Sequence, residues 1–153
     1  MREIKFRGKA VLEEDDSVEL ADRIVKQGDW VYGNLVFTDN GTPYIVGELV
    51  EVDVDYTALH YWIPVRPETV GQFTGLKDVN GKDIYEGDVV NGNCDEHMCL
   101  IAKAVVEWNN KYFLYECNEY HNGRKIDTHE FGNIADLSDL EIIGNIHEVK
   151  NNV

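Results

Sequence analysis

Three cysteines and two histidines in the second half of the chain are the first residues with metal-binding chemistry. They are spaced as Cys94-x2-His97-x-Cys99 and Cys117-x3-His121. Zinc prefers tetrahedral sulfur and nitrogen ligands, but its usual sites have other spacings. Cys99 also begins an apolar run, where a small buried thiol is ordinary. We therefore expect strand cysteines and solvent-facing histidines without a bound cofactor, and a metal site is the alternative.

A second group of candidate ligands, Glu51, Asp53 and Asp55, alternates with valine. On a β-strand, carboxylates at that spacing point to one face. Such a face could hold Mg²⁺ or Ca²⁺, as in phosphoryl-transfer enzymes. No lysine lies beside these acids, so we expect the solvent-exposed face of an edge strand.

Nucleophilic catalysis has no candidate in the sequence. The two serines, Ser17 and Ser138, lie in no nucleophile-elbow motif. The five histidines have no paired spacing such as HExxH, and neither a Walker loop nor a dinucleotide fingerprint occurs. We therefore predict that the protein is not an enzyme.

An aromatic cluster lies at Tyr56 and at His60-Tyr61-Trp62. Aromatic side chains can stack nucleic-acid bases, but that mode needs positive charge nearby, and the neighbours here are acidic. The chain has 14 Lys and Arg against 29 Asp and Glu, a net charge of −15, which argues against direct contact with nucleic acid. We predict that Tyr61 and Trp62 belong to the core or to a protein interface.

The elements that position these residues are predicted to be mostly antiparallel strands. Four Asn-Gly pairs, at 40–41, 80–81, 91–92 and 122–123, and the segment 108–111 are typical of hairpin turns, because Asn and Gly tolerate the positive φ of type I′ turns. The runs near them are rich in Val, Ile, Tyr, Phe and Trp, which favour strands. The predicted strands are Glu3–Arg7, Trp30–Phe37, Tyr44–Val50, Ala58–Val65, Thr69–Phe73, Asp88–Asn91, Leu100–Trp108, Lys111–Glu116 and Leu140–Val149.

One helix is predicted, from Asp16 or Ser17 to Gln27, with Gly28 where it would end. Apolar residues recur at helical spacing within it, namely Val18, Ala21, Ile24 and Val25. A second short turn is predicted at 134–139. The predicted fold class is therefore mainly β with one short helix, as coiled antiparallel sheets.

A long run with spaced glycines and apolar residues, RPETVGQFTGLKDVNGKDIYEGDVV, covers 66–90. The segments MREIKFRGK at 1–9, GDWVYG at 28–33 and EIIGNIHE at 141–148 accompany it in order. Together they resemble the YopX family of phage and prophage proteins over nearly the whole chain. The resemblance implies a mostly β fold with an SH3-like barrel in the C-terminal part, but it does not point to any particular biochemical activity. We expect a single YopX-like domain over 1–153, with an N-terminal β subregion at 1–66 and the barrel subregion at 67–153.

Within that run, residues 78–83 form a polar turn between apolar positions, and the candidate binding loop covers residues 77–82. A folding motif without a site explains the spaced glycines and apolar residues. A partner-binding loop is the alternative, since binding residues concentrate on loops. The candidate partner-binding residues are Lys77, Asp78, Asn80 and Lys82 of this loop, together with Tyr61 and Trp62.

The acidic charge is spread evenly along the chain. Residues 1–76 hold 7 basic and 14 acidic residues, and residues 77–153 hold 7 and 15. This distribution is typical of the outer face of a β protein. No window approaches 18 consecutive apolar residues and the charged N-terminus does not resemble a signal peptide, so we expect a cytoplasmic protein with no membrane contact.

These observations favour a small acidic module that binds protein without catalysis. The partner is either a second copy, giving a homo-oligomer, or a host or phage protein. An acidic decoy that imitates DNA is the first alternative, and it requires carboxylates in one stripe and not in a uniform coat. A metal-dependent enzyme is the less favoured alternative.

Overall fold

Antiparallel β-strands make up nearly all of the regular structure. The computed structural model describes residues 3–94, 99–130 and 140–148. Over those residues the chain has fifteen strands and one 3₁₀ turn, Pro67–Thr69. It divides into two compact units, residues 1–72 and 73–153. The prediction of a mainly β, antiparallel fold is confirmed.

The first unit contains β1 to β8 and the start of β9. Their bounds are β1 Phe6–Lys9, β2 Ser17–Glu19, β3 Ile24–Lys26, β4 Trp30–Phe37, β5 Pro43–Val46, β6 Leu49–Val52, β7 Thr57–Leu59, β8 Trp62–Pro64 and β9 Gly71–Lys77. β1 pairs with β4 and with the first residues of β9, β4 pairs with β5, and β5 pairs with β8. β2–β3 and β6–β7 are separate two-stranded hairpins.

Apolar side chains from these strands form the core of the first unit. Its buried members are Ala10, Val25, Val31, Ile45, Ile63 and Val65. Full burial of a Val or Ile side chain contributes about 1.5–3 kcal/mol because apolar surface leaves water. Since Val25 belongs to β3, the same core also holds the β2–β3 hairpin against the unit.

The predicted helix at 17–27 is wrong, because these residues form the β2–β3 hairpin. The Leu20 N–H donates to the Arg23 carbonyl at 2.8 Å and closes the turn. Val18 pairs with Val25, and both pack into the core, whereas Ile24 is exposed. Val18, Ile24 and Val25 are β-branched, which favours a strand. A helix of this length is only marginally stable in water, whereas the hairpin packs Val18 and Val25 together on the core.

Three of the four Asn-Gly pairs lie at hairpin turns, between β4 and β5, β9 and β10, and β13 and β14. At Asn122-Gly123 both residues have positive φ, 49° and 72°, as a type I′ turn requires. The pairs at 40–41 and 80–81 have positive φ only at glycine, as in a type I turn followed by a bulge. Asn91-Gly92 is not a turn: it lies inside β11, beside a register shift.

The second unit contains the rest of β9 and six further strands. Their bounds are β10 Asp83–Tyr85, β11 Asp88–Cys94, β12 Cys99–Asn109, β13 Leu114–His121, β14 Arg124–Glu130 and β15 Glu141–Asn145. β9 pairs with β10, and the other five form a sheet in the order β14-β13-β12-β11-β15. Its core is built from Ile84, Val90, Ile101, Ala104, Val106, Tyr115, Cys117 and Leu140.

The described strands of the second unit form an open sheet, and no closed barrel is found among them. The SH3-like barrel expected from the family resemblance therefore stays a prediction. The strand β14 was not predicted. The reversal predicted at 108–111 lies between β12 and β13 but is shifted to 110–113, since β12 continues to Asn109. The short turn predicted at 134–139 lies outside the described residues.

The same β-turn precedes β4 and β11. In both, a glycine of φ near +80° (Gly28 at 81°, Gly87 at 84°) is followed by an aspartate. The Asp29 carboxylate accepts the Lys26 N–H and the Asp88 carboxylate accepts the Tyr85 N–H, each at 2.8 Å. Asp29 is exposed, whereas Asp88 is buried and also accepts the Asn145 side-chain amide at 3.3 Å.

Candidate functional site

The β6–β7 hairpin is the most exposed apolar element of the first unit. Its strands, Leu49–Val52 and Thr57–Leu59, pair with each other with a register shift at Val50. The Asp53 N–H donates to the Tyr56 carbonyl at 2.9 Å and closes the tip. Two further bonds, Gly47 N–H to Tyr61 carbonyl and His60 N–H to Glu48 carbonyl, both 2.9 Å, continue the ladder to β5 and β8. The hairpin is thus the distal part of one β ribbon.

Tyr61 anchors the base of this ribbon in the first unit. Its hydroxyl donates to the Tyr32 carbonyl, and its ring packs against the core. A Cβ at Gly47 would lie 2.7 Å from the Tyr61 ring, so only glycine fits there. Burial raises the pKa of Tyr61, although nearby Arg23 acts in the opposite direction. The predicted strands 44–50 and 58–65 are each interrupted here, at residues 47–48 and 60–61.

The hairpin side chains are exposed on both faces. All four residues of β6 are exposed, and Val54 at the tip has 95% of its surface in solvent. The exposed apolar members, from 50% to 95% accessible, are Leu49, Val50, Val52, Val54 and Tyr56. They contribute nothing to either core. The hairpin therefore presents apolar side chains that both described cores leave in solvent.

Four carboxylates accompany these apolar side chains: Glu48, Glu51, Asp53 and Asp55, all exposed. The prediction that 51, 53 and 55 share one strand face is wrong, because β6 ends at Val52 and the two aspartates lie in the turn. A hydrogen bond to Glu51 raises the pKa of the Tyr56 hydroxyl. No Lys or Arg occurs in the sequence from 27 to 65. The hairpin therefore combines apolar surface with negative charge.

Trp62, predicted with Tyr61, lies on β8 at the base of the ribbon and is 64% exposed. The two neighbours differ because Trp62 is the first residue of β8, whereas Tyr61 lies in the interruption before it, where its hydroxyl reaches the Tyr32 carbonyl. Tyr61 holds the ribbon in place, whereas Trp62 extends the exposed apolar surface of the ribbon. Only Trp62 of the two has a side chain available to a partner over most of its area.

The predicted loop at 77–82 connects β9 to β10. The buried Asp78 carboxylate accepts the N–H groups of Asn80 at 2.9 Å, Lys82 at 2.8 Å and Ile142 at 3.4 Å. Burial acts to raise the pKa of Asp78, but these backbone donors outweigh it and hold the pKa below its usual value. Lys77 forms an ion pair with Asp83. Asp78 therefore stabilises the turn, and the exposed side chains at its tip are Val79, Asn80 and Lys82.

Of the predicted cysteine and histidine ligands, Cys117 and His121 lie on β13. Cys117 is buried in the core of the second unit, and burial raises the pKa of its thiol to about 12. Cys94 and Cys99 are register partners on β11 and β12, and His97 lies outside the described residues. Among the residues that the structure describes, no three His, Cys, Asp or Glu side chains are grouped to hold a metal ion.

A polar network on β12, β13 and β14 was not predicted. The Glu107 carboxylate accepts the Asn118 amide at 2.6 Å and the Tyr120 hydroxyl at 2.7 Å. Asn118 in turn accepts the Thr128 hydroxyl at 2.9 Å. The pKa of Tyr120 is raised to about 12. Burial is the largest cause, and the interaction with Glu107 is the second. No clean alternation marks this face in the sequence, because Glu119, between Asn118 and Tyr120, is also polar.

The fold and the site define an antiparallel β protein of two compact units, with a hairpin that exposes both carboxylates and apolar side chains. The family model described as YopX protein matches residues 24–151, which is most of the chain. The chain belongs to the YopX family. A search of the curated proteins returned no match. Over its described residues, the chain has no helix of the length and apolar character needed to cross a membrane.

Proposed function

We propose that the protein is a small acidic module that binds another protein and has no catalytic role. The observation that supports this is the apolar surface of the β6–β7 hairpin, which the first unit leaves in water. Removal of such surface from water yields about 25 cal/mol per Å². A partner that covers the hairpin would gain this free energy without competing with either core.

Hydrogen bonds hold the base of the hairpin, and its far end is exposed to solvent. An isolated two-stranded hairpin is only marginally stable in water. Here the ladder to β5 and β8 and the Tyr61–Tyr32 bond hold its base. A rigid base with an exposed end is the arrangement expected of a binding loop.

We also propose the setting that the family resemblance implies: a phage- or prophage-type protein acting in the cytoplasm, whose second unit includes an SH3-like barrel. Exposed carboxylates occur on several elements of the first unit: the loop before β2, the β4–β5 turn and the β6–β7 hairpin. An acidic coat of this kind supports solubility, whereas imitation of DNA needs one stripe. Protein binding through the hairpin is therefore preferred to a DNA-imitating decoy.

The test is affinity capture from a lysate of the producing cell with three baits. One is the natural chain, one carries Val50→Ser, Val52→Ser and Val54→Ser, and a matched control carries Ile24→Ser, Val36→Ser and Phe37→Ser. The control residues are also exposed and apolar, but they lie outside the hairpin. Urea unfolding of all three chains would establish that each is folded.

We expect one protein to be captured by the natural chain and the control but lost from the hairpin variant. Calorimetry with that purified protein should reproduce the loss. Equal recovery with the hairpin variant would contradict the proposal. Light scattering after size exclusion would detect self-association; a dimer lost in the hairpin variant would identify a second copy as the partner.

A further inference from the structure

We infer that the β6–β7 hairpin takes an extended, cationic segment of its partner as an added β-strand. This rests on the proposed function and specifies the chemistry of the partner. Three features of the hairpin support it: an open strand edge, negative charge without neighbouring cations in the sequence, and exposed apolar side chains among the carboxylates.

The open edge runs along β7 and into β8. In the described part of the chain, β7 pairs only with β6, and β8 is the last strand in the order of its sheet. The edge extends over 57–63, with a bend at 60–61; beyond it, the Pro64 carbonyl accepts the Val11 N–H at 2.8 Å. Unpaired backbone groups on such an edge are a template for strand addition.

The negative charge of the hairpin favours a positively charged segment as the added strand. Glu48, Glu51, Asp53 and Asp55 are all exposed, and the sequence supplies no Lys or Arg between 26 and 66. A second copy of the hairpin would bring four more carboxylates against these four. Like charges placed opposite each other destabilise a strand pair. A segment rich in Lys or Arg is therefore favoured over self-pairing.

The side-chain pattern sets the form of the segment. Residues 51–55 read Glu-Val-Asp-Val-Asp, and Val52 and Val54 are both mainly exposed. A segment that alternates a cation with Val or Ile presents charge on one face and apolar surface on the other. Such a segment supplies cations for the exposed carboxylates and apolar side chains for the exposed valines while its backbone pairs with the edge.

A synthetic probe tests this directly: a capped nonapeptide in which Lys alternates with Val, measured by calorimetry with the full chain. Three comparisons define the mode of binding. One peptide has Glu in place of Lys, and another has alternate backbone amides N-methylated, which removes strand hydrogen bonds but keeps the charge. The chain variant carries Glu51→Gln, Asp53→Asn and Asp55→Asn, and its matched control carries Glu13→Gln, Glu14→Gln and Asp15→Asn in the exposed loop before β2.

We expect the Lys peptide to bind and to slow amide hydrogen exchange at 57–63. The hairpin variant and the N-methylated peptide should each weaken binding at least tenfold, and the loop control less than twofold. Strand addition would be overturned if the N-methylated peptide bound as tightly as the Lys peptide. It would also be overturned if the hairpin variant and the loop control lost the same amount of affinity for the Lys peptide. If the Lys peptide does not bind but a captured partner still requires the hairpin valines, strand addition is wrong and protein binding stands. If the captured partner does not require them, the proposed function is wrong.

Discussion

Replacement of Asp78 by alanine should destabilise the second unit far more than its turn position suggests. The carboxylate accepts three backbone N–H groups, from Asn80, Lys82 and Ile142, at 2.8–3.4 Å. It therefore joins the β9–β10 turn to β15, 64 residues further along the chain. The Val79 N–H, which donates to the Leu140 carbonyl at 2.8 Å, depends on the same geometry.

The size of the effect follows from which donors water can reach. A hydrogen bond to a charged group contributes roughly 1.5–3 kcal/mol, and a donor left unsatisfied in the interior costs about 1–3 kcal/mol. The exposed turn residues Asn80 and Lys82 can donate to water instead, whereas Ile142 is half-buried. We expect Asp78→Ala to lower the free energy of unfolding by about 2–3 kcal/mol, and Asp78→Asn by about 1–2 kcal/mol, because an amide keeps one acceptor oxygen.

The pH dependence of stability distinguishes the charge of the Asp78 carboxylate from the size and shape of its side chain. The folded pKa of Asp78 lies below its unfolded value, so its contribution is complete above the unfolded pKa and is lost as pH falls through the folded pKa. The difference between the natural chain and Asp78→Asn should therefore be full at pH 7 and shrink below about pH 4.

Urea unfolding followed by tryptophan fluorescence, from pH 7 to pH 3, measures this difference. Asp39→Ala is the control, since Asp39 is an exposed turn aspartate, and it should change stability by less than about 0.5 kcal/mol. The reasoning is refuted if Asp78→Asn is as stable as the natural chain at pH 7. It is also refuted if the difference at pH 3 is as large as at pH 7.

Three further predictions concern other positions. Phe113 has a φ of 56° and is 77% exposed, so Phe113→Gly should stabilise the chain by about 1 kcal/mol, seen as a higher urea midpoint, whereas Tyr112→Gly should not. The Cys117 thiol, with its pKa raised to about 12, should resist iodoacetamide at pH 8 in the folded chain and react in urea, as peptide mapping would show; labelling of the folded chain would contradict its burial. Asp88→Ala should cost about 2–4 kcal/mol and the exposed Asp29→Ala less than about 1 kcal/mol by thermal unfolding, and equal losses would mean that burial does not decide the strength of this turn.

The strands were predictable where apolar alternation and turn residues agree. Three of four Asn-Gly pairs lie at hairpin turns, and the strand predicted at 30–37 coincides with β4. β14 was missed because RKIDTHE offers one large apolar residue and no alternation. The helix at 17–27 failed because four apolar residues at helical spacing also satisfy a short hairpin, and packing of Val18 and Val25 on the core decided between the two.

The candidate site was only partly predictable. Aromatic residues at 61 and 62 suggested a core or an interface, and the structure assigns Tyr61 to the first and leaves Trp62 exposed. Asp78 was a candidate partner-binding residue, yet its carboxylate is buried and accepts the Ile142 N–H from a strand far along the chain. No local pattern carries that information.

The sequence by itself determined the β character, most of the turns and the acidity of the chain, because periodicity, φ preference and charge belong to individual residues and their neighbours. Only the tertiary structure decided which apolar residues are buried. Val25 and Val54 are alike in the sequence, but one lies in the core and the other is 95% exposed. Burial depends on which distant strands pack together, and among the described residues that packing leaves the apolar side chains of the β6–β7 hairpin in solvent.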